Sequence, residues 1–285
     1  MQRRRHAVEP PSRLAIWARR VALFSIPVAL ISIVIGWFDL LEIVPAVATF
    51  FGALALALLS ILLAFAAFVV IWREGVPGLG HAVTALLVGL LMLAYPAYLG
   101  IRGYRAPALY DITTDPVDPP RFEAIARLRS RDANPVAYAG LRAAELQRAA
   151  YPDVEPLIVS GTPQETYDAA LAVITKRKWR VVESRAPQVG RRDGHIEAIA
   201  RAFPLGLRDD VVVRIRRDAD GARVDIRSAS RYGLRDFGTN ARRVRALIED
   251  IDDAAGNEDS APKKQTPKPP KTNQPPAKGR PSARR

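Results

Sequence analysis

The stretch VDIRSASRYGLRDFGTNARRV, Val224 to Val244, brings Arg227, Ser228, Ser230 and Arg231 to the end of an alternating segment, just ahead of a turn. Asp236 then stands where a helix N-cap belongs, and Asn240 completes the candidate set. Helix N-termini carry unpaired backbone donors that favour anions. Two guanidinium groups and two hydroxyls beside such a terminus could take phosphate, a carboxylate or a lipid headgroup. The competing expectation is internal: Asp236 satisfies those donors itself, and the arginines pair with Asp225, Asp209 or Asp210.

Other constellations carry less. Glu197 with Asp209 or Asp210 could do acid–base work, but adjacent residues of a strand point to opposite faces. Asp111, Asp115 and Asp118 could bind a hard cation, yet the prolines around them favour turn chemistry. His195 stands beside Asp193, with no serine at nucleophile-elbow spacing. The chain has no cysteine, which removes thiol nucleophiles, thiolate metal sites and disulfides. Its three histidines, His6, His81 and His195, lie too far apart for zinc-ligand spacing. No cofactor or metal is expected from these patterns.

A net charge of +13 suggests a nucleic-acid binder until it is divided by region. Residues 1–20 carry +5 and residues 256–285 carry +6, which leaves +2 for everything between. A nucleic-acid-binding domain concentrates charge on a folded face, so nucleic acid is not an expected partner.

The elements that would position the candidates begin with a membrane part. Residues 21–38, 46–72 and 81–101 are long apolar runs without Asp, Glu, Lys or Arg, so three transmembrane helices are expected. Trp17, Trp37 and Trp72 sit at their ends, as interfacial rings do. Six arginines precede the first run, whereas the loop at 38–45 has none and carries Asp39 and Glu42. That asymmetry predicts a cytoplasmic N-terminus. Three crossings then put the chain after residue 101 outside the cytoplasm, in the periplasm of a Gram-negative cell. Arg102 and Arg105 argue mildly the other way. PAVA at 45–48 is similar to a signal-cleavage site, but the second run directly behind it favours an uncleaved anchor. Ala53, Ala57, Ser60, Ala64 and Ala67 form a small-residue seam for helix packing or self-association. Ion-coupled carriers need ionisable groups at mid-membrane, so the spans read as an anchor in the inner membrane rather than a transporter.

Residues 102–254 read as an α+β domain, mainly an antiparallel sheet of about five strands with helices packed on one face. ALYDITTDPVDPPRF is expected to run extended over the surface, and helices are predicted over Arg121–Ser130 and Pro135–Ala150. PLIVS is a short strand. Thr162, Pro163 and Glu165 form a capping box ahead of a helix that buries Tyr167, Leu171 and Ile174. Four alternating strands and a helix over Phe237–Ile251 follow, the helix presenting Ala241, Val244, Ile248 and Ile251. Charge chooses the register of the last hairpin: a turn at Asp218–Gly221 opposes Arg214 to Asp225, whereas the alternative opposes Arg214 to Arg227. The chosen register sends Val213, Ile215, Val224 and Ile226 to the core, with Ser228 and Ser230 continuing that face. Residues 255–285, rich in lysine and proline, are expected to be a disordered tail that either solubilises or binds anionic lipid or wall polymer.

ITTDPVDPPRF, YPDVEPL, HIEA, DDVVVRI and VDIRSASRYGLRDFGTNA, in this order, resemble the bacterial Domain of Unknown Function 1499 family over about residues 110–250. That resemblance implies no activity, ligand or catalytic residue. The sequence therefore leads to a membrane-anchored domain that binds an anionic ligand or scaffolds an envelope partner. The rival expectation is an envelope enzyme acting on phosphorylated or lipid-linked material, with Glu197, Asp209 or Asp210 as acid or base.

Overall fold

The computed structural model describes residues 10–188, 190 and 193–258. The lead before residue 10 and the tail beyond 258 lie outside the described residues. Residues 255–258, assigned to the tail by composition, are the last turn of a helix.

Three long helices come first: α1 (Arg13–Phe38), α2 (Ile43–Glu74) and α3 (Leu79–Arg105). Each is long and apolar enough to cross a membrane. All five residues of the expected seam on α2 are buried. Ala64 packs with Ala18, Ala22 and Ala85, and Ala67 with Ala15 and Ala82. Small side chains let the backbones approach, because in lipid the gain comes from close packing rather than from expelling water. Buried serines are satisfied within their own helices: Ser60 Oγ of the seam donates to the Ala57 carbonyl and Ser25 Oγ of α1 to that of Ala22, each at 2.7 Å. The large side chains point outward instead, among them Phe51, Leu62, Leu87 and Leu91.

The domain follows as β1 (Asp111–Thr113), α4 (Ala124–Leu128), α5 (Leu141–Ala150), β2 (Leu157–Val159), α6 (Pro163–Lys176), β3 (Arg180–Arg185), β4 (Gly194–Ala202), β5 (Leu207–Asp218), β6 (Gly221–Ser230) and α7 (Thr239–Glu258). Its six strands form one antiparallel sheet in the order β1-β6-β5-β4-β3, with β2 also paired to β6. The last hairpin has the charge-selected register: Arg214 opposes Asp225, Ile215 opposes Val224 and Val213 opposes Ile226. Thr162 and Glu165 form the capping box of α6.

Each sheet face has a different character. Helices α6 and α7 cover one, where Val213, Ile215, Val224 and Ile226 pack with Tyr167, Ile174, Val244 and Leu247. The opposite face has only a small apolar cluster of Phe122, Ile125, Ile199, Val212 and Ala229. Around that cluster the face is built of ion pairs.

Three expectations change. The segment from Leu109 is not all surface: Asp111, Ile112 and Thr113 are buried as the edge strand β1. Three residues are too few to display a period. The Gln147 amide finishes this strand, accepting from Thr113 N at 3.0 Å and donating to Thr113 O at 2.6 Å. The two helices after it are short. Glu197 takes the first N–H groups of α4, and α5 starts only after Gly140, whose φ of 79° is non-helical.

The domain rests on one end of the three-helix bundle through the β4–β5 turn. Trp37 Nε1 donates to the Pro204 carbonyl at 2.7 Å. Asp39 pairs with Arg201 at 2.7 Å and Arg208 at 2.6 Å. The Tyr95 and Phe203 rings meet edge-on, their centroids 5.3 Å apart. Arg235 donates to the carbonyls of Gly103 and Ala106 at the end of α3.

Candidate functional site

Strand alternation divides the six residues singled out by the sequence. Ser228 and Ser230 lie on the α7 side of β6, while Arg227 and Arg231 lie on the other. On the α7 side, Ser228 Oγ donates to Asn240 Oδ1 at 2.7 Å, and Asn240 Nδ2 donates to Ser230 Oγ at 2.9 Å and to the Tyr110 carbonyl at 3.0 Å. Asp236 caps α7, accepting from Gly238 N at 2.9 Å and Asn240 N at 2.6 Å. Burial pushes its carboxyl above the ordinary value, against the pull of those two donors. The cation that joins this group is Arg243, which reaches Ser228, Asn240 and Asp209. Its position is on the inner face of α7, one turn behind Asn240, and only the helical period could have pointed to it.

Arg227 and Arg231 are buried in the ionic face. Arg227 makes a bidentate pair with Asp111, at 2.9 and 2.7 Å, and donates to the carbonyls of Pro120 at 3.0 Å and Val136 at 2.8 Å. Its guanidinium lies 4.7 Å from the Phe122 ring centroid and 5.6 Å from that of Tyr138. Burial pushes the Tyr138 phenol up to about 12. Arg231 Nε donates to Asp210 Oδ1 at 2.9 Å, and Arg129 Nε to Asp210 Oδ2 at 2.7 Å. Further along, buried Asp225 accepts from Arg214, Arg216 and Arg223. Asp115 Oδ1 accepts from Val117 N and Asp118 N, the turn chemistry its prolines suggested. Arg227 and Arg231 thus converge on carboxylates of the chain itself.

An open cleft of about 410 Å³ lies beside this network, lined by Asp118, Arg121, Glu123, Arg185, Asp193, His195 and Arg214. Residues 195 and 197 of β4 face it from the same side of the sheet, since strand side chains alternate. His195 Nε2 lies 2.9 Å from Glu197 Oε1. Glu197, fully buried, also accepts from the backbone N–H of Glu123, Ala124 and Ile125 at 2.5, 3.1 and 2.7 Å. Burial works to raise its carboxyl, but His195 and the three backbone donors together bring it below the ordinary value. Glu123, Glu183 and His195 offer ligand atoms that all lie within 4.8 Å of one another. In the chain Glu123 and Glu183 are 60 residues apart, and His195 follows 12 residues later. The β3–β4 pairing of Glu183 with Glu197 and of Arg185 with His195 brings them together. Arg121 at the cleft rim makes no ion pair among the described residues.

Three apolar spans ahead of an antiparallel sheet, apolar on one face and ion-paired on the other, define a membrane-anchored α+β domain. Residues 111–251 match the family model described as Protein of unknown function (DUF1499), so the α+β domain is similar to that family. The spans and α7 beyond residue 251 lie outside the match. No curated protein and no solved structure matches the chain.

Proposed function

We propose that the protein is a multi-pass protein of the inner membrane that holds its α+β domain on the outward side as a binding or scaffolding module of the envelope. The observation that carries this reading is where the domain rests. Its contacts fall at the bundle end made by Asp39, Trp37 and the last turns of α3. The arginines of α1 mark the other end. By the charge rule that end is cytoplasmic, and the domain is then outside. The spans favour an anchor over a carrier, because their buried seam is alanine and serine with the hydroxyls already bonded.

On the domain, the ligand surface moves from Arg227 and Arg231 to the neighbouring cleft, where Arg121 has no ion pair among the described residues. An anionic lipid headgroup or a sugar phosphate suits that charge. The test is a thermal-shift screen of the full chain in detergent against both compound classes. A saturable rise in midpoint that Arg121→Ala diminishes supports the reading. A rise undiminished by Arg121→Ala, or none with either class, contradicts the assignment of anion binding to this cleft. Turnover of a screened compound would replace the binding module with an enzyme.

A further inference from the structure

We propose that the same cleft holds a divalent transition-metal ion of the zinc class on Glu123, Glu183 and His195. This goes beyond the binding-module reading and does not need an anionic ligand to be true. The three donor atoms already stand within 4.8 Å of one another, whereas bound ligands sit about 2.0–2.2 Å from zinc. Glu123 is exposed and Glu183 half-buried, which leaves both side chains room to turn toward an ion.

The histidine is what separates this group from an ordinary acidic cluster. His195 is nine-tenths buried, and it lines the cleft. Its Nε2 meets a carboxylate that already accepts three backbone N–H groups. Glu197 acts there as an acceptor, so the shared proton belongs to Nε2. The lone pair is then on Nδ1, which has no hydrogen-bond partner among the described residues. A carboxylate behind a histidine that leaves one ring nitrogen without a protein partner is the arrangement that orients metal-ligating imidazoles. One nitrogen and two carboxylate oxygens suit a borderline first-row ion. Magnesium and calcium take oxygen ligands.

Arg185 stands in the ion's place as the cluster's own cation, and it fits poorly. It meets Glu123 and Glu183 at 3.2–3.4 Å, against 2.7–2.9 Å for the Arg227–Asp111 pair. Its Nε is buried without a hydrogen-bond partner. About a third of its side chain is exposed, which leaves it a path into solvent when a dication enters. A bound ion would put two positive charges next to Arg121, making the cleft a stronger anion site.

The experiment uses the metal-stripped full chain in detergent, titrated with Zn²⁺ and separately with Co²⁺, whose visible bands report the ligand set. The expected result is one saturable Zn²⁺ per chain. His195→Gln and Glu183→Gln should each weaken it by at least about 10-fold, the lower end of what losing even an outer-shell partner costs. Arg185→Ala should tighten it, because a competing cation is gone. His81→Ala, outside the cleft, should change nothing. If His195→Gln fails to fold, Glu183→Gln and Arg185→Ala still decide, as both side chains are partly exposed. Absence of a saturable site would overturn the proposal, as would one that Glu183→Gln and Arg185→Ala leave unchanged. Neither outcome bears on anion binding by Arg121 when that screen is run on the metal-stripped chain.

Discussion

Replacing Arg227 by alanine separates a structural arginine from one kept for a ligand. The guanidinium and its Asp111 partner are 3% and 2% exposed at the side chain, so the pair is fully desolvated. Removing one member of a buried pair leaves the other charge unpaired, which costs about 3–5 kcal/mol. The carbonyls of Pro120 and Val136 also lose their donor, which keeps the expected cost in the upper half of that range. For a domain of this size 1 kcal/mol moves the midpoint by about 2–4 °C. Arg227→Ala should therefore lower the domain's unfolding transition by roughly 10 °C in calorimetry of the full chain in detergent. Asp111→Ala should do nearly the same, and the double variant should cost well short of the sum, because the two groups act as one unit. Arg227→Lys should fall between, since it keeps the charge and loses the fork. A midpoint within about 2 °C of the parent for Arg227→Ala would refute this reasoning, because a surface substitution costs only about 0.5 kcal/mol. It would return Arg227 to the list of ligand contacts.

The seating of the domain and its response to acid can be checked independently. A Cβ at Gly36 would collide with the Leu205 carbonyl, so Gly36→Leu should lift the β4–β5 turn off α1 and speed amide exchange over residues 203–208. Unchanged exchange there would mean that the turn does not rest on the helix. Burial works to raise the Asp115 carboxyl, but N–H donors from Asp118 and Val117 and the nearby Arg223 and Arg214 leave it below the ordinary value. Its contribution to stability is thus fully present above the usual carboxylate range and disappears as pH falls through its lowered value. The melting midpoint should decline below about pH 4, and Asp115→Asn should shrink that decline.

Much of the architecture was legible in the sequence because it depends on nearest neighbours. Charge-free runs exposed the spans, the spacing of Ala53 to Ala67 exposed their seam, and opposed charges chose the Arg214–Asp225 register. The candidate site was legible only in half. Ser228, Ser230, Asp236 and Asn240 do converge, since a strand face and the helix behind it are consecutive in the chain. Arg227 and Arg231 face the other side of the sheet, because strand alternation sends odd and even residues apart. Their carboxylates differ in visibility: Asp210 was among the expected partners, but Asp111 sits 116 residues before Arg227, in a strand too short to recognise. Glu123, Glu183 and His195 meet only through cross-strand pairing and a loop that returns over the sheet. No spacing rule reaches that far.

Placement of the domain opposite the N-terminus is the claim on which the envelope reading stands, and the absence of cysteine makes it directly measurable. Single cysteines at Leu141, exposed on the domain, and at Gly75, in the loop between α2 and α3, can be probed in spheroplasts with a membrane-impermeant maleimide. The account predicts that the Leu141→Cys chain is labelled at once and that the Gly75→Cys chain reacts only after lysis. Labelling of Gly75→Cys in sealed spheroplasts, with Leu141→Cys protected until they are broken, would contradict it.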